Sequence, residues 1–182
     1  FSPRCALVGL TPERLAVIEG ERLSTHALAG TRDSSSDPAR RQAMISDLLS
    51  SHKDAHEHEL VVEELCERLA PFCERVERAP RRLRELPTLL HLETPLEAQL
   101  KAHVDPLELS QALHPTPALV GSPQREALAA LRAEEPFERG GYAAPWGWRN
   151  LKGDLSAYVV IRSALLLGRR AHLFAGAGVV KG

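Results

Sequence analysis

The chain has 182 residues, a formal net charge of −1 and a pI near 6.8, so no charge excess draws it to nucleic acid or to an anionic membrane. Hydrophobic residues make up 43% of it, enough for a real core, yet no apolar run approaches the roughly 20 residues of a membrane-spanning helix. Its three cysteines, Cys5, Cys66 and Cys73, are odd in number and lack metal or redox spacing, which points to a reducing compartment, the cytoplasm. The chain opens on Phe1 without a signal-peptide pattern and closes on Gly182 in a glycine-rich string, so it is expected to be part of a longer protein.

Residues 5–10 read as a short buried strand. Residues 14–18 and 22–28 alternate around Glu19-Gly20-Glu21, which predicts a hairpin. A carboxylate, Glu13, sits just after Pro12 at a strand end. At the end of the second hairpin strand, Gly30 permits close backbone approach and Thr31 offers a hydroxyl. A polar loop over 33–37 leads to a helix over 38–50, with Asp37 as cap and Pro38 in the first position.

Residues 52–69 carry the strongest helical pattern. Glu59, Glu63 and Glu67 share a wet face, and Val61, Leu65 and Leu69 form the apolar stripe. Glu57 lies one turn before Val61 on that stripe, and a carboxylate continuing a buried face needs a cation, a metal or hydrogen bonds. His52 and His56, at i and i+4 and followed by His58, admit a zinc site, but no further ligand is marked and a solvated helix start is the plainer account. Cys66 and Cys73, one heptad apart, read as buried thiols.

Residues 75–79 and 82–101 read as strands broken by Pro80, Pro87 and Pro95. His91 stands alone in an apolar run, the usual setting of a satisfied core histidine. Asp105 caps a short helix over 106–113. Residues 112–123, ALHPTPALVGSP, are too proline-rich for helix or central strand, and His114-Pro115 and Thr116-Pro117 call for an extended path. Ser122 then suits the cap and Pro123 the first position of a helix over 124–133, whose Leu128 and Leu131 face inward. Free amides at that helix start can face an anion, and a plain strand-to-helix connection accounts for the same residues.

Tyr142 is expected to begin a strand that runs through Trp148. Residues 155–167 read as one strand with Tyr158, Val160 and Arg162 on one face, where an arginine needs an anion or a structural carboxylate. Residues 170–174 form the last strand. The glycines of the string 175–180 let backbone amides approach an anion.

The string His114-Pro115-Thr116-Pro117-Ala118, with Gly121 and Pro123, resembles the signature of isochorismate synthases, within the family of chorismate-utilising enzymes. Further strings resemble that family in its order. They are Thr11-Pro12-Glu13-Arg14-Leu15, with threonine for the usual serine; Leu28 to Arg32 (L-A-G-T-R); Lys53 to His58 (K-D-x-x-E-H); Glu135 to Tyr142 (E-P-F-x-R-G-x-Y); Ile161 to Ala164 (I-R-S-A); and Ala175 to Val180 (A-G-A-G-V-V). Ala144 and Trp146 depart from the family, which has glycine and a smaller residue there.

The resemblance implies an α+β fold, with antiparallel sheets packed centrally and helices outside, and a magnesium-dependent conversion of chorismate to isochorismate. It implies Glu13 as general acid, Glu57 as a magnesium ligand and Arg162 as the clamp on a substrate carboxylate. Gly30, Thr31, His91, Tyr142 and Gly176 would shape the chorismate pocket. The family's water-activating lysine lies upstream of the first strand here, and a second magnesium-binding glutamate lies beyond the glycine string. Residues 1–182 are therefore expected to be the C-terminal portion of a single chorismate-binding catalytic domain, without a glutamine amidotransferase subunit. The alternatives are a salicylate- or anthranilate-synthase-type enzyme, against which residues 112–123 argue, and an incomplete fragment that only binds ligand or a partner.

Overall fold

The computed structural model describes residues 4–121 and 123–176. In chain order the elements are β1 (Cys5–Gly9), β2 (Arg14–Glu19), β3 (Arg22–Asp33), α1 (Pro38–Ser50), α2 (His52–Leu69), β4 (Cys73–Arg78), β5 (Arg82–Glu85), β6 (Leu89–Leu100), α3 (Pro106–Leu113), α4 (Pro117–Val120), α5 (Gln124–Glu134), β7 (Pro145–Arg149), β8 (Leu155–Val159), β9 (Ser163–Leu167) and β10 (Arg170–Phe174). The ladders β1–β9, β9–β10, β2–β8, β7–β8, β3–β6, β4–β6 and β5–β6 are antiparallel, so the α+β expectation holds. The chain divides into two compact units, Glu21–Val104 and the remainder, Phe1–Gly20 with Asp105–Gly182.

The unit Glu21–Val104 is built on β6. β3 pairs along one edge of it, and β4 and β5 share the other. Alternation sends Leu90, Leu92, Leu96, Ala98 and Leu100 to one buried face. α1 and α2 cover that face, with Leu48 of α1 packing on Leu90 and Leu92. Each fully buried leucine contributes about 1.5–3 kcal/mol relative to exposure. Local capping fixes the helix starts: Asp37 accepts from the Ala39 amide and Ser51 from the Asp54 amide.

Three expectations are corrected in this unit. Pro95 does not break its strand. Its carbonyl accepts from the Ala79 amide, so its missing donor faces the interval between β4 and β5, where no ladder bond is lost. The buried spine of α2 is His58, Val62 and Leu69, with Val61, Leu65 and Glu57 half-buried beside it. Cys73 is buried as the first residue of β4, while Cys66 is half-buried and accepts from Arg78 Nε at 3.3 Å.

The second unit holds two three-stranded ladders, β1-β9-β10 and β2-β8-β7, centred on β9 and β8. Leu15, Ala16, Ile18, Leu155, Ala157 and Val159 are buried, and α3 packs on β2 with Leu109 and Leu113 inside. Asp105 caps α3 by accepting from the Leu107 amide.

The predicted strand 155–167 is two strands, because Arg162 sits between β8 and β9 at φ 49°, where pleated pairing cannot continue. It therefore does not share a face with Tyr158 and Val160, and its side chain is exposed rather than buried in a run. Tyr142 lies in a turn, followed by Ala143 at φ 63°, and the strand begins only at Pro145. Residues 112–123 are not extended throughout: Thr116 caps the helical turn α4, and α5 starts at Gln124 with Pro123 in the cap position. Leu128 and Leu131 of α5 are half-buried. Ser122 and residues 177–180 lie outside the described residues.

Candidate active site

Glu13 follows Pro12 at the entry to β2, and its backbone is held on both sides. Its amide donates to Thr11 Oγ1 at 3.1 Å, and its carbonyl accepts from the Val159 amide at 2.9 Å. The side chain reaches α4, where Thr116 Oγ1 donates to Oε1 at 3.2 Å. Burial pushes the Glu13 carboxyl above the usual carboxylate range, and the Thr116 hydroxyl partly offsets this. The shift favours the protonated carboxyl relative to an exposed glutamate.

Arg162 is tied to the same stretch of chain, since its carbonyl accepts from the Leu10 amide at 3.2 Å. Its left-handed backbone turns the exposed side chain out of the sheet, a strained conformation of the kind found at functional sites. Arg162, Ser163, Gly9 and Phe174 are among the residues lining an open groove of about 490 Å³. Phe174 stacks on Tyr142, with centroids 5.1 Å apart and planes at 9°. Arg139 covers the tyrosine ring at 5.7 Å and is itself clamped by Glu135 through bonds of 2.7 and 2.5 Å. Gly176 lies against the Tyr142 hydroxyl, where any Cβ would come within 2.5 Å. Gly176 and Phe174 thus pack on Tyr142, and Phe174 also lines the groove beside Arg162.

In the unit Glu21–Val104, three of the expected pocket residues meet. Gly30 forms a bulge at φ 75° within β3, which runs on to Asp33 instead of ending there. A side chain at Gly30 would press on Leu92 and Asp54 at 3.2–3.4 Å. Thr31 pairs with His91 across the ladder, and its Oγ1 lies 3.0 Å from His91 Nδ1. His91 is therefore a half-buried, hydrogen-bonded residue on the face away from the helices.

On the same face Glu93, only 3% exposed, receives Arg82 Nε at 2.7 Å and Arg84 Nη1 at 2.5 Å. Burial would raise its pKa, but the two arginines outweigh this and hold it below the usual range. Glu57 sits half-buried one turn beyond Asp54. Asp54 accepts from Arg32 Nη2 at 2.8 Å, and the Arg32 hydrogen bond holds its carboxyl below the usual range. His58 is wholly buried, 2.8 Å from Thr94 Oγ1, and burial holds its pKa down. Among the described residues no group of three or more His, Cys, Asp or Glu side chains could hold a metal by itself.

Several partners carry no clear signal in the sequence. Thr116, Arg32 and Asp54 stand inside strings already singled out, so the only available signal was a polar residue at a fixed motif position. Glu93 and its arginines carried the ordinary signal of alternating charge on a strand. The spine of α2 was assigned one position away from His58, which hid that residue's burial.

The antiparallel α+β fold is that of solved chorismate-using synthases. The putative 2,3-dihydroxybenzoate-specific isochorismate synthase DhbC of Bacillus anthracis superposes with a TM-score of 0.90 at 38% identity, over 96% of this chain and 47% of that one. The menaquinone-specific isochorismate synthase MenF of Escherichia coli gives 0.90 at 31% identity, over 99% and 42%. The sequence profile described as "Chorismate binding enzyme" matches residues 2–182, and the chain belongs to that family.

Among curated relatives, the salicylate biosynthesis isochorismate synthase of Pseudomonas aeruginosa is 45% identical over 95% of this chain and 37% of its own length. Isochorismate synthase DhbC of Bacillus subtilis is 41% identical over 100% of this chain and 46% of its own length. The chain thus spans less than half the length of the curated relatives it matches.

Proposed function

We propose that the complete protein is an isochorismate synthase of the cytoplasm, and that these residues form the C-terminal portion of its chorismate-binding domain. The observation that carries the reading is Glu13, a half-buried carboxyl with a raised pKa in the string Thr11 to Leu15, in a chain about 40% identical to curated isochorismate synthases. Water adds at ring carbon two of chorismate while the hydroxyl at carbon four departs. That hydroxyl needs a proton to leave as water, and Glu13 supplies it. Arg162, exposed in its groove, offers a planar pair of donors to a carboxylate of the substrate. Each unit adds further residues to this proposal, taken by itself: the Gly30 bulge with the Thr31–His91 hydrogen-bonded pair in Glu21–Val104, and Gly176 packed on the Tyr142 ring in the other.

Magnesium fits the donor set in a limited way. Glu57 is a hard oxygen donor beside the hydrogen-bonded start of α2, and magnesium is commonly held by one or two carboxylates, substrate oxygens and several waters. When bound, the ion would neutralise a carboxylate of the substrate. The test is to incubate the complete protein with chorismate and magnesium and separate the products by chromatography. Isochorismate from the native protein and none from Glu13→Gln is the expected result. Salicylate with pyruvate, or anthranilate in the presence of ammonia, as the main product would replace this reading.

A further inference from the structure

We infer that Thr116 is a positioning residue for Glu13: its hydroxyl donates to one carboxyl oxygen, fixes it, and stabilises the negative charge that the carboxylate carries once the proton leaves. The inference rests on Glu13 as the general acid and adds the group that sets its geometry.

Thr116 occupies the cap position of α4 with an extended backbone, φ −78° and ψ 156°. A threonine there ordinarily accepts from a helix amide. This one makes no such bond, and its hydroxyl donates instead to Glu13 Oε1, 103 residues away in the chain. Its backbone is well fixed. Pro115 and Pro117 flank it, and its carbonyl accepts from the Leu119 and Val120 amides at 3.0 and 3.3 Å. Glu13 is equally fixed, with both backbone polar groups engaged by Thr11 and Val159. Two anchored residues therefore meet through one hydrogen bond, which leaves Oε2 to carry the proton.

The proton passes from Glu13 to the departing oxygen, the carbon–oxygen bond at carbon four breaks, and water leaves. The incoming water forms the bond at carbon two and gives its proton to a general base. Glu13 ends as a carboxylate, and the Thr116 bond becomes charge-assisted at that moment. An interaction that strengthens toward the transition state raises kcat more than it lowers KM.

The test compares wild type, Thr116→Val, Thr116→Ser and Glu13→Gln in the complete protein. Steady-state kinetics on chorismate are paired with a carbon-13 NMR titration of the Glu13 carboxyl. Thr116→Val is expected to lower kcat about ten-fold with KM nearly unchanged, and to move the Glu13 titration to higher pH, since a bond favouring the carboxylate is lost. Thr116→Ser should restore both. If Thr116→Val fails to fold, Thr116→Ala takes its place with the same expectation. A wild-type kcat in the valine or alanine variant, or a serine variant as impaired as the valine with an unmoved titration, overturns the inference. An inactive Glu13→Gln beside a normal Thr116→Val removes only this inference. A fully active Glu13→Gln removes the acid assignment and this inference with it.

Discussion

Gly176 lies directly against Tyr142, with room for no Cβ between its backbone and the tyrosine hydroxyl, which would stand 2.5 Å from such an atom. The ring cannot yield freely, because Phe174 stacks on it and Arg139 covers it. Gly176→Ala should therefore displace the tyrosine and raise KM for chorismate. A misplacement of about 1 Å in a binding wall can cost up to 10²-fold in rate. Removing the obstructing oxygen as well, in Gly176→Ala with Tyr142→Phe, should recover most of the loss. Equal impairment in the single and double variants would show that the contact does not matter.

Glu13 gives a stability prediction of definite sign. Its folded pKa is raised, chiefly by burial, so the neutral form favours the fold and that advantage is lost as pH rises through the folded value. Glu13→Gln should therefore melt at a higher temperature than wild type near pH 8 and at the same temperature near pH 4. Turnover should fall by about 10²–10⁴-fold, the usual contribution of a positioned acid. A melting difference that is largest in acid would contradict the burial argument.

Much of this was legible because the signals were local. Asp37 and Asp105, each followed by proline, marked the starts of α1 and α3, and caps depend on a few adjacent residues. β10 and α2 have the bounds their patterns predict, and Leu69 of the expected apolar stripe is buried, whereas His58 and Val62 are buried in place of Val61 and Leu65. Alternation could not reveal the kink at Arg162, since one residue at positive φ leaves no mark in a hydrophobic pattern. Nor could it show that Pro95 faces a gap between β4 and β5, which depends on how neighbouring strands end. Among the candidate residues, Glu13, Arg162 and Gly30 stand in strings that the sequence itself marks. The Glu13–Thr116 and Arg32–Asp54 bonds join motifs distant in sequence, and only folding pairs them.

Activity should require magnesium, and Glu57→Ala should weaken it. Few protein ligands usually leave the ion largely hydrated, so the variant should need more magnesium for half-maximal rate while retaining its fold. Isothermal titration with magnesium gives a readout independent of turnover. Full activity after exhaustive chelation would remove the metal from the reaction.

Arg162→Lys should not restore function. The left-handed backbone at φ 49° accepts either side chain, so the comparison isolates the head group. A planar fork pairs two donors with a carboxylate, while an ammonium offers a point charge and loses that match. The expected result is a loss of chorismate affinity in the lysine variant close to that of Arg162→Ala. Wild-type affinity in the lysine variant would make Arg162 a structural residue.

The start of α2 depends on Arg32 and Asp54. Arg32 reaches from β3 to Asp54 Oδ2 at 2.8 Å and to Asp47 Oδ2 at 2.6 Å, joining the bulge at Gly30 to both helices. The Asp54 side chain is only 13% exposed, so its charge is poorly served by water and depends on the arginine. Asp54→Asn should therefore cost about 1.5–3 kcal/mol, the range for a hydrogen bond to a charged group. The sign with pH follows from the lowered carboxyl: its stabilisation is present above the ordinary aspartate pKa and is lost as pH falls through the folded value. Denaturant melts of wild type and Asp54→Asn should differ at pH 7 and converge in strong acid. Glu57 sits one turn further along α2, so the same variant should also raise the magnesium requirement. A variant as stable as wild type at pH 7 would show that Asp47 alone is enough to hold Arg32.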